Sequence, residues 1–221
     1  MSDRKPVFFT SDWHIGHANS IGFDNRPFRD VNHMHEVLIA NYNNDVPTDG
    51  VCYFLGDVGV TNTEVVKRVI ERLNGTKVLI LGNHDKQHSA MYNCGFDVVL
   101  NGAVLYIQNE RVTMSHCPLI GLWREDLSHL PAHKQKDPPE NWHGETKAKA
   151  EHFAFHNEGQ FHLHGHIHSR KDTKEIKPTT LGKQFDVGVP AHNYRPVHIG
   201  IVEGFIMRNR GSTLDKTRTK E

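Results

Sequence analysis

The fold is decided by residues 77–85, which read KVLIL followed by Gly82-Asn83-His84-Asp85. The first five residues are mostly apolar and include side chains that favour strands, so they predict a buried strand. A glycine directly after the run permits a sharp exit from the strand. The three polar side chains that follow therefore crowd the carboxyl end of a strand, which is the edge where open α/β sheets bind ligands.

Four other segments share this arrangement, in which a run typical of a strand ends at Asp or His side chains. They are VFFTS at 7–11 before Asp12-Trp13-His14, VCYFL at 51–55 before Gly56-Asp57, RVTMS at 111–115 before His116, and QFHLH at 160–164 before Gly165-His166-Ile167-His168. We therefore expect five strand ends to converge on one site.

Signals for helices lie between the first three strands. Asp30 is a candidate N-cap for a helix that begins at Val31, and Thr61 and Glu64 have the spacing of a capping box for a second helix. The first part of the chain thus alternates as βαβαβ, which implies a parallel sheet.

After residue 96 the turn residues are spaced more closely. Short strands separated by Asn-Gly and Asn-Glu pairs predict hairpins, and further strands follow after a long gap. The expected strands are at 96–100, 103–107, 111–115, 160–164, 184–189 and 197–202. The combined pattern predicts an α/β sandwich with mixed sheets.

The chain has 221 residues, a length that suits one α/β domain. We expect a single domain over residues 1–207 and a polar tail over residues 208–221 that frays from it. Residues 118–160 have no clear periodicity and contain Trp123 and Trp142. Because long loops in compact domains are often functional, we expect this segment to form one wall of the site.

Charge and cysteine content restrict the functional class. Lys plus Arg equals Asp plus Glu at 26 each, so there is no net positive field to hold long duplex nucleic acid, which is not an expected partner. The 3 cysteines are odd in number and widely spaced, which argues against a disulfide framework and suits a reducing cytoplasm. No membrane segment is expected, since the apolar runs fall short of the ~20 residues that span a bilayer.

Histidine is unusually frequent, with 18 residues, and it is a common metal ligand. Asp12 and His14, like His166 and His168, stand two residues apart and project to the same side of an extended backbone. Ligands of the Asp, His and Asn type favour manganese, iron, zinc, cobalt, nickel or magnesium over copper(I) or iron-sulfur clusters. The strand ends carry enough such ligands for two ions that share a carboxylate, an arrangement suited to displacement at phosphorus.

The five motifs resemble, in order and residue type, those of the calcineurin-like metallophosphoesterase family. They are Asp12-x-His14, Gly56-Asp57, Gly82-Asn83-His84-Asp85, His116 and Gly165-His166-x-His168. The resemblance implies a four-layer αββα sandwich of two mixed β-sheets flanked by helices. It also implies a dinuclear metal centre, for which manganese is our first expectation and iron, zinc, nickel, cobalt and magnesium stay open.

The resemblance also implies a role for each motif residue. One ion would be held by Asp12, His14, Asp57 and His168, and the other by Asp57, Asn83, His116 and His166, with Asp57 as the bridge. His84 would lie near the phosphate as a proton donor or charge stabiliser, oriented by Asp85.

The motifs differ from those of the protein Ser/Thr phosphatase branch, which has Gly-Asp-Tyr-Val-Asp-Arg-Gly where this chain has Gly56-Asp57-Val58-Gly59. They look more like those of compact bacterial and phage phosphodiesterase-like members, in which sequences such as Asn25-Arg26-Pro27-Phe28 and Asn193-Tyr194-Arg195-Pro196 also occur. Arg26, Arg195 and His17 are candidate substrate contacts because Arg matches phosphate oxygens in a bidentate way. A structural role stays open for each.

These observations favour a phosphodiesterase that acts on small nucleotide-type substrates. A hydroxide that bridges two ions would attack phosphorus while His84 assists the leaving oxygen. A phosphomonoesterase that acts on nucleotides or small phosphates, a nuclease for single strands and a non-catalytic metal-binding scaffold stay open. The natural substrate, the metal in the cell and the oligomeric state are not given by the sequence.

Overall fold

A computed structural model describes residues 5–59, 62–119, 155–169 and 180–211. Within these ranges ten strands form two five-stranded sheets, accompanied by five α-helices and one 3-10 helix at Val189–His192. The strands are β1 (Val7–Thr10), β2 (Val51–Phe54), β3 (Thr76–Ile80), β4 (Val98–Leu100), β5 (Ala103–Ile107), β6 (Glu110–Met114), β7 (Phe161–His164), β8 (Thr180–Leu181), β9 (Gln184–Asp186) and β10 (Val197–His198). The α-helices are α1 (Asn19–Phe23), α2 (Val31–Asp45), α3 (Thr63–Ile70), α4 (His88–Asn93) and α5 (Ile199–Asn209).

The first sheet has the strand order β10-β1-β2-β3-β4. Strands β1 to β4 run parallel, with Thr10 opposite Phe54 and Phe54 opposite Leu79, whereas β10 runs antiparallel to β1. The parallel strands therefore all end at the same edge, as the alternation of strands and helices predicts.

The second sheet has the order β5-β6-β7-β9-β8. Its three central strands are parallel and its two edge strands are antiparallel to their neighbours, so this sheet is mixed as well. Strands β5 and β6 form the predicted hairpin. Its turn residues Gln108 and Asn109 have φ angles of 53° and 63°, the left-handed conformation that a tight hairpin turn requires.

Two apolar cores hold the layers together. One lies between the first sheet and the helices, where Phe54 packs against Tyr42 and Trp13. The other lies between the two sheets and includes Leu55 at the end of β2 and Phe205 of α5. Neighbouring residues of a strand point to opposite faces, so β2 contributes to both cores. The structure confirms the predicted α/β sandwich of two mixed sheets flanked by helices.

The strand predicted at 197–202 is wrong beyond its first two residues. Helix α5 begins at Ile199, and His198 caps it by accepting a hydrogen bond from the Gly200 amide through Nδ1. Within α5, Val202, Phe205 and Ile206 are buried at helical spacing. Burial of this helical face outweighs the β-branched content that favoured a strand.

Two further predictions are corrected, one for the start of a helix and one for a turn. Helix α3 begins at Thr63 and is capped by Asn62, whose Oδ1 accepts from the Glu64 amide at 2.9 Å, whereas the predicted capping box began at Thr61. Strand β4 pairs with β3, and β5 belongs to the second sheet. The Asn101-Gly102 pair therefore crosses between the sheets and does not close a hairpin.

Several expected features fall on residues that the structure does not describe. Most of the expected wall at 118–160, namely residues 120–154, and the end of the expected tail at 212–221 lie outside the described residues. Within the described residues, none of the helices is long and apolar enough to cross a membrane.

Gly56 allows the loop after β2 to approach its neighbours closely. Its φ is +85°, and a Cβ atom there would lie 2.6 Å from both the Gly82 Cα and the His116 Nδ1. Gly159 also has a positive φ, +79°, but has open space around it. Substitution of these two glycines therefore separates the free-energy cost of backbone strain from that of a steric collision.

We expect Gly56→Ala to lower the free energy of unfolding by about 3 kcal/mol or more, because strain and collision add. Gly159→Ala, with strain alone, should cost only about 1 kcal/mol. Urea denaturation of both variants and the wild type, with a chelator present throughout, measures the difference. Equal losses would show that the approach of Gly56 to Gly82 and His116 is not a constraint.

Candidate metal centre

Polar side chains from both sheets meet where β1, β2, β3, β6 and β7 end. Two groups of side chains offer metal-ligand atoms. Within each group these atoms all lie within 4.8 Å of one another. One group is Asp12, His14, Asp57 and His168, and the other is Asp57, His116 and His166. Each of these groups can hold a metal ion, and Asp57 belongs to both. Apart from Asn83, their members are those of the two ligand sets that the resemblance implied.

Asp57 lies at the centre of this arrangement, and its carboxylate is buried. Its Oδ2 is 3.3 Å from the His116 Nε2 and 3.8 Å from the His14 Nε2. Its Oδ1 accepts a hydrogen bond from the His84 backbone amide at 3.0 Å. One oxygen is thus fixed by the loop after β3, while the other faces imidazoles from both sheets.

The hydrogen bonds of two histidines define which nitrogen faces the site. The His116 Nδ1 lies 2.7 Å from the Leu55 carbonyl oxygen, which can only accept, so Nδ1 carries the proton. The His168 Nδ1 lies 2.9 Å from the Asp24 carboxylate in the same way. In the neutral rings both Nε2 atoms therefore present lone pairs to the site. A cation is the partner that several converging lone pairs fit best.

Asn83 supports the same conclusion from its lack of partners. Both polar atoms of its side chain are buried and, among the described residues, have no hydrogen-bond partner, and the same holds for the His14 Nδ1. A buried amide without partners costs free energy, which a bound ion would recover by ligating the oxygen. These residues fit a metal.

The backbone is strained at most of the candidate ligands. Non-glycine residues rarely adopt positive φ angles, and they do so mainly where the surrounding structure enforces it. Five candidate ligands have such angles: Asp12 (61°), His14 (52°), Asp57 (50°), His166 (70°) and His168 (46°). Each strand turns abruptly where it delivers its side chains to the site, which the sequence pattern does not reveal.

The electrostatics of the site show what a cation would replace. Burial would raise the pKa of Asp57, but the imidazoles around it, above all that of His116, hold the pKa of this carboxyl far below its usual range. Burial opposes a charge on His116, yet Asp57 raises the pKa of His116 to about 9. Burial likewise opposes a charge on His168, but hydrogen bonds to Asp12 and Asp24 raise the pKa of His168 to about 10. A cation that binds here must displace these protons.

Asp24 is a site residue that the sequence analysis missed. Its Oδ1 bonds to His168, and its Oδ2 accepts from the Arg26 Nε at 3.0 Å and Nη2 at 2.8 Å. A carboxylate behind a ligating histidine fixes the orientation of the ring. The only signal in the sequence is its position one residue before the Asn25-Arg26 pair.

Arg26 lies beneath the site and not beside a substrate. Its guanidinium is fully buried, donates to the backbone carbonyls of Asp12 at 3.1 Å and Trp13 at 3.2 Å, and pairs with Asp24. All of its donating nitrogens have protein partners, so the structure contradicts the predicted substrate contact. Arg26 instead supports the loop that carries Asp12.

The other two candidate substrate contacts are in different places. Arg195 pairs with Asp45 at the end of α2, and the described residues show no contact between Arg195 and either ligand group. The structure therefore does not bring it to the site, contrary to the prediction. His17 does lie at the site, with its ring centroid 5.8 Å from that of His14.

His84 stands at the rim of the site. Its side chain is 40% exposed, and its Nε2 is 3.9 Å from the Asp57 Oδ2. The Asp85 carboxylate accepts from the Val58 and Gly82 amides, both at 2.9 Å. No hydrogen bond in the described part of the chain joins Asp85 to the His84 ring, so Asp85 does not orient it as the resemblance implied. Asp85 instead ties together the loops after β2 and β3.

The chain is similar in sequence to two proteins from other organisms. The uncharacterized protein MJ1445 of Methanocaldococcus jannaschii is 46% identical over 88 residues, 39% of this chain and 49% of that protein, so the chain spans about half the length of this relative. The gene 66 protein of Mycobacterium phage D29 is 29% identical over 211 residues, which cover 86% of this chain and 92% of the phage protein. No family model matches the chain.

A solved structure shares the fold. AQ665, a protein of unknown function from Aquifex aeolicus, superposes with a TM-score of 0.62 over 92% of this chain and 100% of its own chain, at 21% identity. The two-sheet α/β sandwich is therefore an architecture already seen in another protein.

We expect Asp24→Asn to weaken manganese binding about tenfold or more, because the neutral amide no longer polarises His168 through its charge. The single amide oxygen can still accept the hydrogen bonds from Arg26, so folding should be retained, whereas the amide nitrogen cannot accept the bond from His168. Asp49→Ala, in an exposed turn, is the matched control. Competition against a fluorescent chelator gives the affinities, and an unchanged affinity in Asp24→Asn would show that the Asp24 charge plays no part.

Proposed function

We propose that this chain is a metal-dependent phosphoesterase that hydrolyses phosphodiester bonds, with small nucleotide-type substrates. The observation that carries the proposal is the sharing of the buried Asp57 carboxylate between two groups of metal-ligating side chains. One ion would be held by Asp12, His14, Asp57 and His168, and the other by Asp57, Asn83, His116 and His166. Manganese is the first candidate, with iron, zinc, nickel, cobalt and magnesium open.

Two bound cations supply Lewis acidity and an activated water, the chemistry that displacement at phosphorus needs. The residues of the chain fix the positions of the candidate ligands. Asp57 keeps its Oδ2 toward imidazoles of both ligand groups because its Oδ1 is held by the His84 amide. Leu55 and Asp24 fix the rings of His116 and His168. This preorganisation reduces the rearrangement that binding requires.

In this proposal His84 donates a proton to the leaving oxygen. It lies outside both ligand groups, yet its Nε2 is within 3.9 Å of the Asp57 Oδ2 and its ring is open to solvent. Its backbone amide is bound to Asp57, so the ring is carried on a loop that is tied to the site. A group at this place can reach a substrate without being consumed as a ligand.

The motif resemblance to calcineurin-like metallophosphoesterases supports the reaction type. The fold is consistent with it, because both sheets contribute ligands at one edge of the sandwich. We further propose a single domain over residues 1–207 with a polar tail at 208–221. A reducing cytoplasm as the location is supported by the three buried cysteines, whose odd number and wide spacing argue against a disulfide framework.

A phosphomonoesterase is the second candidate, because the same centre can act on a terminal phosphate. A non-catalytic scaffold is less well supported, since all seven motif ligands are present in the sequence. The esters bis(p-nitrophenyl) phosphate and p-nitrophenyl phosphate separate the first two candidates, and the absence of turnover on either with bound metal would favour the scaffold.

Turnover of bis(p-nitrophenyl) phosphate should disappear after treatment with a chelator and return with manganese. We expect Asp57→Asn to lower it by more than about 10²-fold and to retain one ion at most, because two nearby cations need a shared anion to offset their repulsion. Elemental analysis and initial rates test both statements. Two bound ions with near-normal turnover in the variant would refute the dinuclear assignment.

His84→Ala should separate catalysis from metal binding. General acid assistance is worth about 10²–10⁴-fold, so the variant should keep its metal content and turn over far more slowly. The loss should be largest for alkoxide leaving groups, as in a nucleotide diester, and smallest for nitrophenolate, which scarcely needs a proton. Loss of an ion would make His84 a ligand, and a loss independent of the leaving group would leave it a charge stabiliser.

A further inference from the structure

Phe23, at the end of α1, is an exposed aromatic side chain beside the candidate metal centre. It is 78% exposed, and its ring lies beside that of His17, with centroids 6.2 Å apart at an interplanar angle of 67°. The His17 ring in turn lies 5.8 Å from that of His14, a member of the first ligand group. A row of rings thus leads from the site to Phe23.

The position of Phe23 is fixed by its neighbour in the sequence. Asp24 bonds to His168 and to the buried Arg26, so the backbone at the end of α1 is tied to the candidate centre. The backbone of Phe23 therefore cannot move far without breaking these bonds, while its ring can turn about the side-chain torsions. Tyr106, which is 77% exposed, lies instead on the edge strand β5 of the second sheet.

We propose that Phe23 stacks on the aromatic base of a nucleotide whose phosphate lies at the metal centre. The proposal rests on the proposed function and adds the residue that recognises the base. In a nucleotide one sugar separates the phosphate from the base, and here one ring, His17, separates Phe23 from His14. The exposed ring of Phe23 offers a stacking surface that is two ring contacts, of 6.2 Å and 5.8 Å between centroids, from His14.

The chemistry of the contact determines the selectivity. A phenyl ring has no hydrogen-bonding group, so it accepts any base by its π face and does not read base identity. Base–aromatic stacking is worth about 1–3 kcal/mol, which corresponds to about 5- to 150-fold in affinity. We expect the lower part of this range, about tenfold, because Phe23 supplies a single ring against one face of the base.

The test compares adenosine monophosphate with ribose 5-phosphate, which carries the same phosphate and sugar but no base. Calorimetric titration of the manganese-loaded protein gives both affinities. The variants are Phe23→Ala and Phe23→Tyr, the second of which keeps the ring. Tyr106→Ala, which removes an equally exposed ring from an edge strand of the second sheet, is the matched control.

The ratio of the two affinities should favour adenosine monophosphate in the wild type and fall about tenfold in Phe23→Ala, with most of it regained in Phe23→Tyr. Tyr106→Ala should keep the wild-type ratio. An equal affinity for both ligands in the wild type, or a ratio that Phe23→Ala does not change, would overturn the proposal. Metal content measured on each variant excludes a displaced Asp24 as the cause of a lower ratio.

The two proposals fail in different ways. A wild type that hydrolyses phosphoesters with manganese but shows no dependence of the ratio on Phe23 keeps the proposed function and removes the role of Phe23. A wild type that has no metal-dependent turnover on any ester removes the proposed function, and the stacking proposal falls with it.

Discussion

The arrangement at the sheet edge depends on one buried carboxylate, that of Asp57. A charge in this position is stable only if cationic or hydrogen-bonding groups surround it. In the metal-free chain the His84 amide and the charged His116 ring supply that compensation. The loops after β2, β3 and β6 are therefore held together by electrostatics as well as by packing. The same charge that makes the site suitable for cations also organises it before any cation binds.

The sandwich carries the strain that this arrangement imposes. Left-handed backbone at five candidate ligands is unfavourable locally, and it is maintained because the strands that precede them are anchored in two apolar cores. Backbone hydrogen bonds continue just beyond the strands, such as those from the Asp12 amide to the Gly56 carbonyl at 3.1 Å and from the His14 amide to the Asp57 carbonyl at 3.0 Å, and they hold these residues in place. Asp85 and Arg26 brace the loops further by binding backbone groups.

The sequence predicts most of the strands, and the side chains that converge at one edge, because both depend on local patterns. Short apolar runs marked β1, β2 and β3, and their polar ends identified the converging edge. The contributions of Asp24, Arg26 and Asp85 could not be predicted, since they depend on how the loops fold back beneath the site. Helix α5 was missed for a different reason: its β-branched residues favour a strand locally, and only tertiary packing selects the helix.

The division of the ligands between the two sheets has a consequence for how the protein is made. Asp12 and His166 meet across 154 residues of sequence, and His168 lies still further along. During synthesis strands β1 to β4 can pair while β7 and β10 are still absent, but the ligand groups cannot close. Closure of either candidate ligand group therefore follows docking of the second sheet. An ion that needs all of these side chains could be held only after the nascent chain had assembled both sheets.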